Sequence, residues 1–151
     1  PVGPATVVDL PGHAPDGVGF ETRNGVVCGD VAVAEGSVVV AAPEGDMRAY
    51  LTTLRRLHAR DPSALFPGHG PRIDDPRGVC ARLIDHRRDR ERAVLAAIRG
   101  GVIDLDGVLE RAYEKDLTGV RDLAGATVRA HLWKLHHEGR IEFDGARADP
   151  A

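Results

Sequence analysis

Short β-branched runs dominate the first thirty positions. Ala5-Thr6-Val7-Val8-Asp9-Leu10 stops at Pro11-Gly12, Val18-Gly19-Phe20-Glu21-Thr22 forms a second run, and Val26-Val27-Cys28 a third. Asn24-Gly25 supplies the φ > 0 pair of a tight hairpin between the last two, so all three read as strands. Val38-Val39-Val40, bounded by Gly36-Ser37 and Ala42-Pro43, reads as a further strand. After Pro43 the period changes. Met47, Tyr50, Leu51, Leu54 and Leu57 recur at spacings of three and four, one face of a helix with Asp46 as N-cap and Pro62 as its limit. Ala64-Leu65-Phe66 is a short buried strand running into the turn Pro67-Gly68-His69-Gly70-Pro71.

A long helix is predicted from about Gly78 to Arg99, with Val79, Leu83, Ile84, Val94, Leu95 and Ile98 as its core stripe. Its middle, residues 85–92, carries both signs of charge all round and reads as a solvated face. Gly100-Gly101 ends it and marks the best domain boundary. Beyond lie a helix from Leu105 to about Glu114 and another from Val120 to Glu138, apolar at Leu123, Val128, Leu132 and Leu135. Gly139 is a C′ glycine, Arg140–Phe143 alternates like a strand, Asp144-Gly145 turns, and residues 146–151 read as a frayed end.

Composition narrows the function classes. With 151 residues, 42% hydrophobic and 28% charged, the chain suits one domain or two small ones. A net charge of −3 excludes a uniformly basic nucleic-acid coat. No apolar run approaches the roughly 18 residues of a membrane span, and no leader pattern opens the chain. Cys28 and Cys80 stand singly, which suits reduced thiols and a cytoplasmic setting.

Seven histidines are the main chemical candidates. His58 falls on an exposed helix side, and His86 lies in the charged run, where a structural hydrogen bond is expected. His131, His136 and His137 lack Cys or acidic partners at ligand spacing and read as surface or packing residues. Trp133, beside Leu132 and Leu135, also reads as packing. His13 and His69 differ, because each sits in a Pro-Gly-His turn directly after a short strand. Asp30 has the same setting, after Val26-Val27-Cys28-Gly29. Side chains at strand ends project into a cleft, and two imidazoles with one carboxylate suit a borderline metal such as zinc.

Taken in order, LPGHAPDGVGF, VVCGDVAVAEGSVVV, an amphipathic helix and ALFPGHGPRI resemble the later half of a metallo-β-lactamase-fold hydrolase. Residues 79–99 resemble that family's connecting helix with its His-Arg pair, here His86-Arg87. ATVRAHLWKLHHEGRIEF resembles the winged-helix tail of the lactamase-like endoribonuclease branch. The resemblance covers residues 5–143. It implies an α/β (α+β) chain: a partial αββα sandwich over 1–78, a connecting helix at 79–99 and a small C-terminal winged-helix domain at 100–151. It also implies metal ligation by His13, Asp30 and His69, with Asp30 bridging two metal ions and serving catalysis. The cofactor would be zinc, up to two ions in an intact relative. The activity would be hydrolysis of RNA phosphodiesters or of esters and thioesters by a metal-bound hydroxide. Single-stranded RNA or a small-molecule ester or thioester would be the partner.

The family's HxHxDH motif is missing, since no two histidines here are separated by one residue. Three of its usual seven ligand positions are present, so enzymatic activity of this chain alone is left open. The expectation is a fragment or truncated product of a longer hydrolase. The alternatives are a complementing N-terminal half or homodimer, and a non-catalytic relative that binds nucleic acid through its winged helix. Residues 79–151 hold 13 basic and 13 acidic side chains, thin support for phosphate-driven binding.

Overall fold

Three consecutive strands lie side by side, the first two joined through residues 10–17 and the last two by a tight turn at residues 23–24. In the computed structural model, which describes residues 4–113 and 117–151, β1 (Thr6–Asp9) pairs antiparallel with β2 (Val18–Thr22), and β2 antiparallel with β3 (Gly25–Gly29). β4 (Leu65–Pro67) then joins β3 in parallel, giving the order β1-β2-β3-β4. Two antiparallel steps restore direction, so β1, β3 and β4 all point the same way. Leu10, Val26, Cys28 and Leu65 are buried on one face of the sheet.

That face is covered by α1 (Met47–Arg60), where Met47, Tyr50, Leu51, Leu54 and Leu57 are buried as their spacing predicts. Asp46 caps it, its Oδ1 accepting from the backbone of Arg48 at 2.7 Å and Ala49 at 3.1 Å. Asp61 ends it in the left-handed region, ahead of Pro62. α2 (Pro76–Arg99) starts two residues earlier than expected. The Asp75 carboxylate caps Gly78 N at 2.9 Å, and Pro76 occupies the first turn, where a missing N–H costs nothing.

Beyond α2 come α3 (Leu105–Ala112), α4 (Arg121–His137) and a hairpin of β5 (Ile141–Phe143) and β6 (Ala148–Pro150). The expected end of α3 near Glu114 lies outside the described residues. Two buried clusters result. One joins the sheet, α1 and the first half of α2 through Cys80, Leu83 and Ile84. The other joins Val94, Leu95 and Ile98 of the same helix to α3, α4 and the hairpin. α2 is thus a shared spine.

Four expectations need correction. The hairpin turn is Arg23-Asn24, and of the expected φ > 0 pair only Gly25, the first residue of β3, takes positive φ. Residues 38–40 form no ladder: Val38 O accepts from the Arg87 guanidinium and Val39 O pairs with His13 Nδ1 at 2.8 Å, so side chains take the acceptors a neighbouring strand would use. The end of the chain is not frayed, because Asp144 Oδ1 accepts from Ala146 N and Arg147 N, and Ala148 N donates to Ile103 O, fixing β6 against β5. The charged middle of α2 is not all solvated. Arg87 is 2% exposed, and the Glu91 carboxylate is enclosed, since α4 brings Lys134 Nζ to 2.6 Å and the β5 approach brings Arg140 to 2.9 Å. Trp133 packs edge-on against Phe143, as its neighbours on the helix suggest.

Candidate metal centre

Because β1, β3 and β4 run the same way, the residues that follow them emerge at one edge of the sheet. His13 follows β1, Asp30 follows β3 and His69 follows β4. β3 and β4 are neighbours paired at Gly29 and Pro67, and Gly68 N donates to Gly29 O at 3.0 Å. This register brings His69 Nε2 to 3.6 Å from Asp30 Oδ1. Both side chains reach solvent, His69 the more openly. Gly68 is required by this approach, since a Cβ there would lie 2.7 Å from Asp30 Oδ1.

His13 stands one strand further off, because β2 intervenes. Two sheet steps separate β1 from β3, roughly 10 Å. Its turn is braced by α1: Gly12 O accepts from Asp46 N at 2.9 Å, and Pro11 O accepts from Thr53 Oγ1 at 2.7 Å. Gly12 has φ +127°, and a Cβ would sit 2.2 Å from Tyr50 Cα, so only glycine lets α1 come this close. The His13 ring is held through Nδ1 on Val39 O, the arrangement that leaves Nε2 of an imidazole available to a ligand.

The donor types fit a borderline divalent ion, and the anchored Nδ1 of His13 fits a ligating role. Their number does not close a site. Among the described residues, no group of three or more His, Cys, Asp or Glu side chains is gathered to hold a metal ion. The other candidates sit elsewhere. His58 is half-buried on α1, and His136 and His137 belong to the ring cluster around Trp133. His131 is fully buried beside Glu91. Cys28 and Cys80 are buried free thiols, pushed up to about 11 and about 12 by burial, which suits packing and not nucleophilic work. The bracing residues Tyr50, Thr53, Arg82 and Arg87 lay outside the strand-end pattern. Tyr50 lies on the apolar stripe of α1, and the signal for Arg87 is the mismatch between a charged helix middle and a core stripe that must pass through it, while Thr53 and Arg82 carry none.

The fold matches a metallo-beta-lactamase family protein from Thermus thermophilus with a TM-score of 0.80 at 23% identity, covering 97% of this chain and 49% of that one. This is a metallo-β-lactamase fold. In sequence the chain is 30% identical over 139 residues to the beta-lactamase-like protein 2 homolog of Drosophila melanogaster, across 89% of this chain and 46% of that protein. It is 26% identical over 141 residues to an atrochrysone carboxyl ACP thioesterase of Aspergillus fumigatus, across 92% of this chain and 39% of that protein. No family model matches. The chain spans about half the length, or less, of these proteins. No helix among the described residues is long and apolar enough to cross a membrane.

Proposed function

We propose that this chain is part of a metal-dependent hydrolase of the metallo-β-lactamase superfamily, acting on thioesters or esters, with His13, Asp30 and His69 as its share of the ligands. The observation that carries this reading is the common edge of β1, β3 and β4, which draws Asp30 and His69 to 3.6 Å and sets His13 at the same edge two sheet steps away. Zinc or a similar ion bound there supplies Lewis acidity and a more acidic water. Asp30 offers the anionic oxygen donor between the two imidazoles. His69, the most open of the three, faces approaching substrate, while His13 is held in one ring orientation from behind. The remaining ligands come from the other half of the fold, supplied by further chain or by a second molecule.

The thioester and ester class is favoured over RNA by where the cations of α4 go. Arg121 pairs with Asp106 and Glu110, Arg129 bonds Gly145 O, and Lys134 pairs with Glu91 and Glu138. Each has a partner within the chain, Arg121 at the surface and Arg129 and Lys134 in part-buried contacts, which leaves less for a phosphate backbone. A cleft of about 420 Å³ between the start of α1 and α4 has an apolar lining from Pro43, Met47, Ala130 and Trp133, with Arg48, Lys134, His137 and the helix-capping Asp46 as its polar lining. That combination suits an acyl chain on an anionic carrier. The thioesterase among the relatives supports the same class.

The test is zinc content by elemental analysis together with hydrolysis of acyl thioesters, simple esters and single-stranded RNA. It is run on this chain and on the same chain with whatever its gene encodes upstream. Metal-dependent thioester or ester turnover that disappears in Asp30→Asn supports the reading. RNA cleavage without thioester turnover, or turnover indifferent to Asp30, overturns it.

A further inference from the structure

The segment after Asp30 is held almost entirely by side chains. Tyr50 Oη donates to Val31 O at 3.0 Å. From α2, Arg82 donates to Val33 O and Ala34 O at 3.0 Å each and to Gly36 O at 2.6 Å, and Arg87 donates to Val38 O. The next carbonyl, that of Val39, pairs with His13 Nδ1. Val38 and Val40 are buried and Val39 is exposed, the alternation of an extended chain. Successive carbonyls in such a chain point to opposite sides. Fixing Val38 O towards α2 therefore aims Val39 O away from α2, towards the turn that carries His13.

Arg87 is an expensive way to achieve this. It is 2% exposed, has no carboxylate partner among the described residues, and its Nε has no hydrogen-bond partner. Around it are the Tyr50 ring, 5.8 Å from the guanidinium carbon, Tyr113, the like-charged Arg90 of its own helix and His131 of α4. Burying an ion without a counter-ion costs several kcal/mol. A methionine would fill the same space without that cost, but would leave Val38 O unheld.

We propose that Arg87 is a positioning residue for His13: by anchoring the Val38 carbonyl it orients the Val39 carbonyl, which keeps the His13 proton on Nδ1 and frees Nε2. The significance of a free Nε2 rests on the metal-ligand reading above; the control of the tautomer does not.

The experiment uses the ¹⁵N-labelled chain at neutral pH. Long-range ¹H–¹⁵N spectra report the imidazole tautomers, with far-UV circular dichroism and Trp133 fluorescence as checks on folding. In the unaltered chain His13 is expected as the Nδ1–H tautomer. Arg87→Met is expected to fold and to shift His13 towards Nε2–H, with His69 unchanged as the internal control. Arg87→Lys, which keeps one donor of different reach, is expected to move His13 part of the way. Arg82→Met, which releases other carbonyls, is expected to leave it alone. A folded Arg87→Met with the His13 signals unmoved overturns the proposal. If that variant does not fold, Arg87→Lys decides, and unmoved signals there overturn it equally. Zinc titration of the same proteins separates the two readings. Binding weakened by about tenfold or more in Arg87→Met supports both. A tautomer shift with no zinc binding in any of them, on this chain or with its upstream sequence, leaves the positioning role standing and removes the metal reading.

Discussion

Two glycines in similar Pro-Gly-His turns have opposite consequences. At Gly12 the obstacle is backbone, Tyr50 Cα at 2.2 Å from an added Cβ, and φ is +127°. Neither the helix nor the turn can yield cheaply, so Gly12→Ala is expected to lose about 3 kcal/mol, read as a lower urea midpoint. At Gly68 the obstacle is the tip of the Asp30 side chain at 2.7 Å. A carboxylate can swing aside, so Gly68→Ala is expected to cost within about 1 kcal/mol of stability. On the proposed hydrolase reading, displacing Asp30 by about an ångström would nonetheless lower hydrolysis on the order of 100-fold. The measurement is unfolding and turnover on both variants, and a Gly68→Ala protein of full activity would show that the Asp30–His69 geometry is not used. The sequence displays both turns equally. Only the packing partner, helix backbone in one case and a mobile carboxylate in the other, separates the two.

At the scale of elements, each candidate ligand was legible because it follows a strand, and strands of β-branched residues are readable from period alone. Their spacing was not, since it depends on β2 lying between β1 and β3 while β4 docks directly on β3. The α2–α4 contact was the least legible, because charge on a helix normally signals solvent. Here Arg87 and Glu91, one turn apart, both face inward. Burial works to raise the Glu91 pKa, and His131 and Lys134 work against it and prevail, holding it at about 2. The direct contacts are Lys134 at 2.6 Å and Arg140 at 2.9 Å, with His131 Nδ1 further away at 3.9 Å. Burial lowers the pKa of His131 and of His86 below their ordinary value. The signs agree. Below about pH 6.5 the unfolded chain binds protons on these histidines that the folded chain refuses, so stability falls. The Glu91 contribution is complete above about pH 4.3 and is lost as pH falls from there through about 2. The urea midpoint is therefore expected to be level between pH 7 and 8, to decline below 6.5 and to steepen below about 4.5. Glu91→Gln leaves Lys134 and the half-exposed Arg140 to Glu138 and is expected to cost about 2 kcal/mol at pH 7 while removing the steeper limb. Equal midpoints at pH 7 and pH 5 would contradict the assignment for the histidines.

At the scale of the whole molecule, the sheet has one covered face and one bare one. The pairings Val7–Phe20, Phe20–Val27 and Val27–Phe66 set a row of four large apolar side chains across all four strands, opposite the face that packs on α1. Val7, Phe20 and Val27 are 60%, 45% and 41% exposed. Apolar residues in contiguous rows are what a protein surface normally avoids, whereas scattered ones are ordinary. The solved relative has about twice the length of this chain, which accords with a second layer over such a face. The 151 residues taken alone are therefore expected to self-associate or to bind a hydrophobic dye, through the same surface that further chain or a second molecule would cover. Phe20 is the residue to change: it lies in an inner strand, exposed, and outside the buried cluster beneath the sheet. Phe20→Lys places a charge in the middle of any dry interface formed there, while its long stem can lie along the sheet and keep the ammonium in water. The variant is expected to hold its urea midpoint within about 1 kcal/mol and to sediment as a monomer. The unaltered chain should gain mass with concentration over the same range. Equal sedimentation of the two, with no dye bound by either, would mean that the row is tolerated as free surface and that no covering layer is needed there.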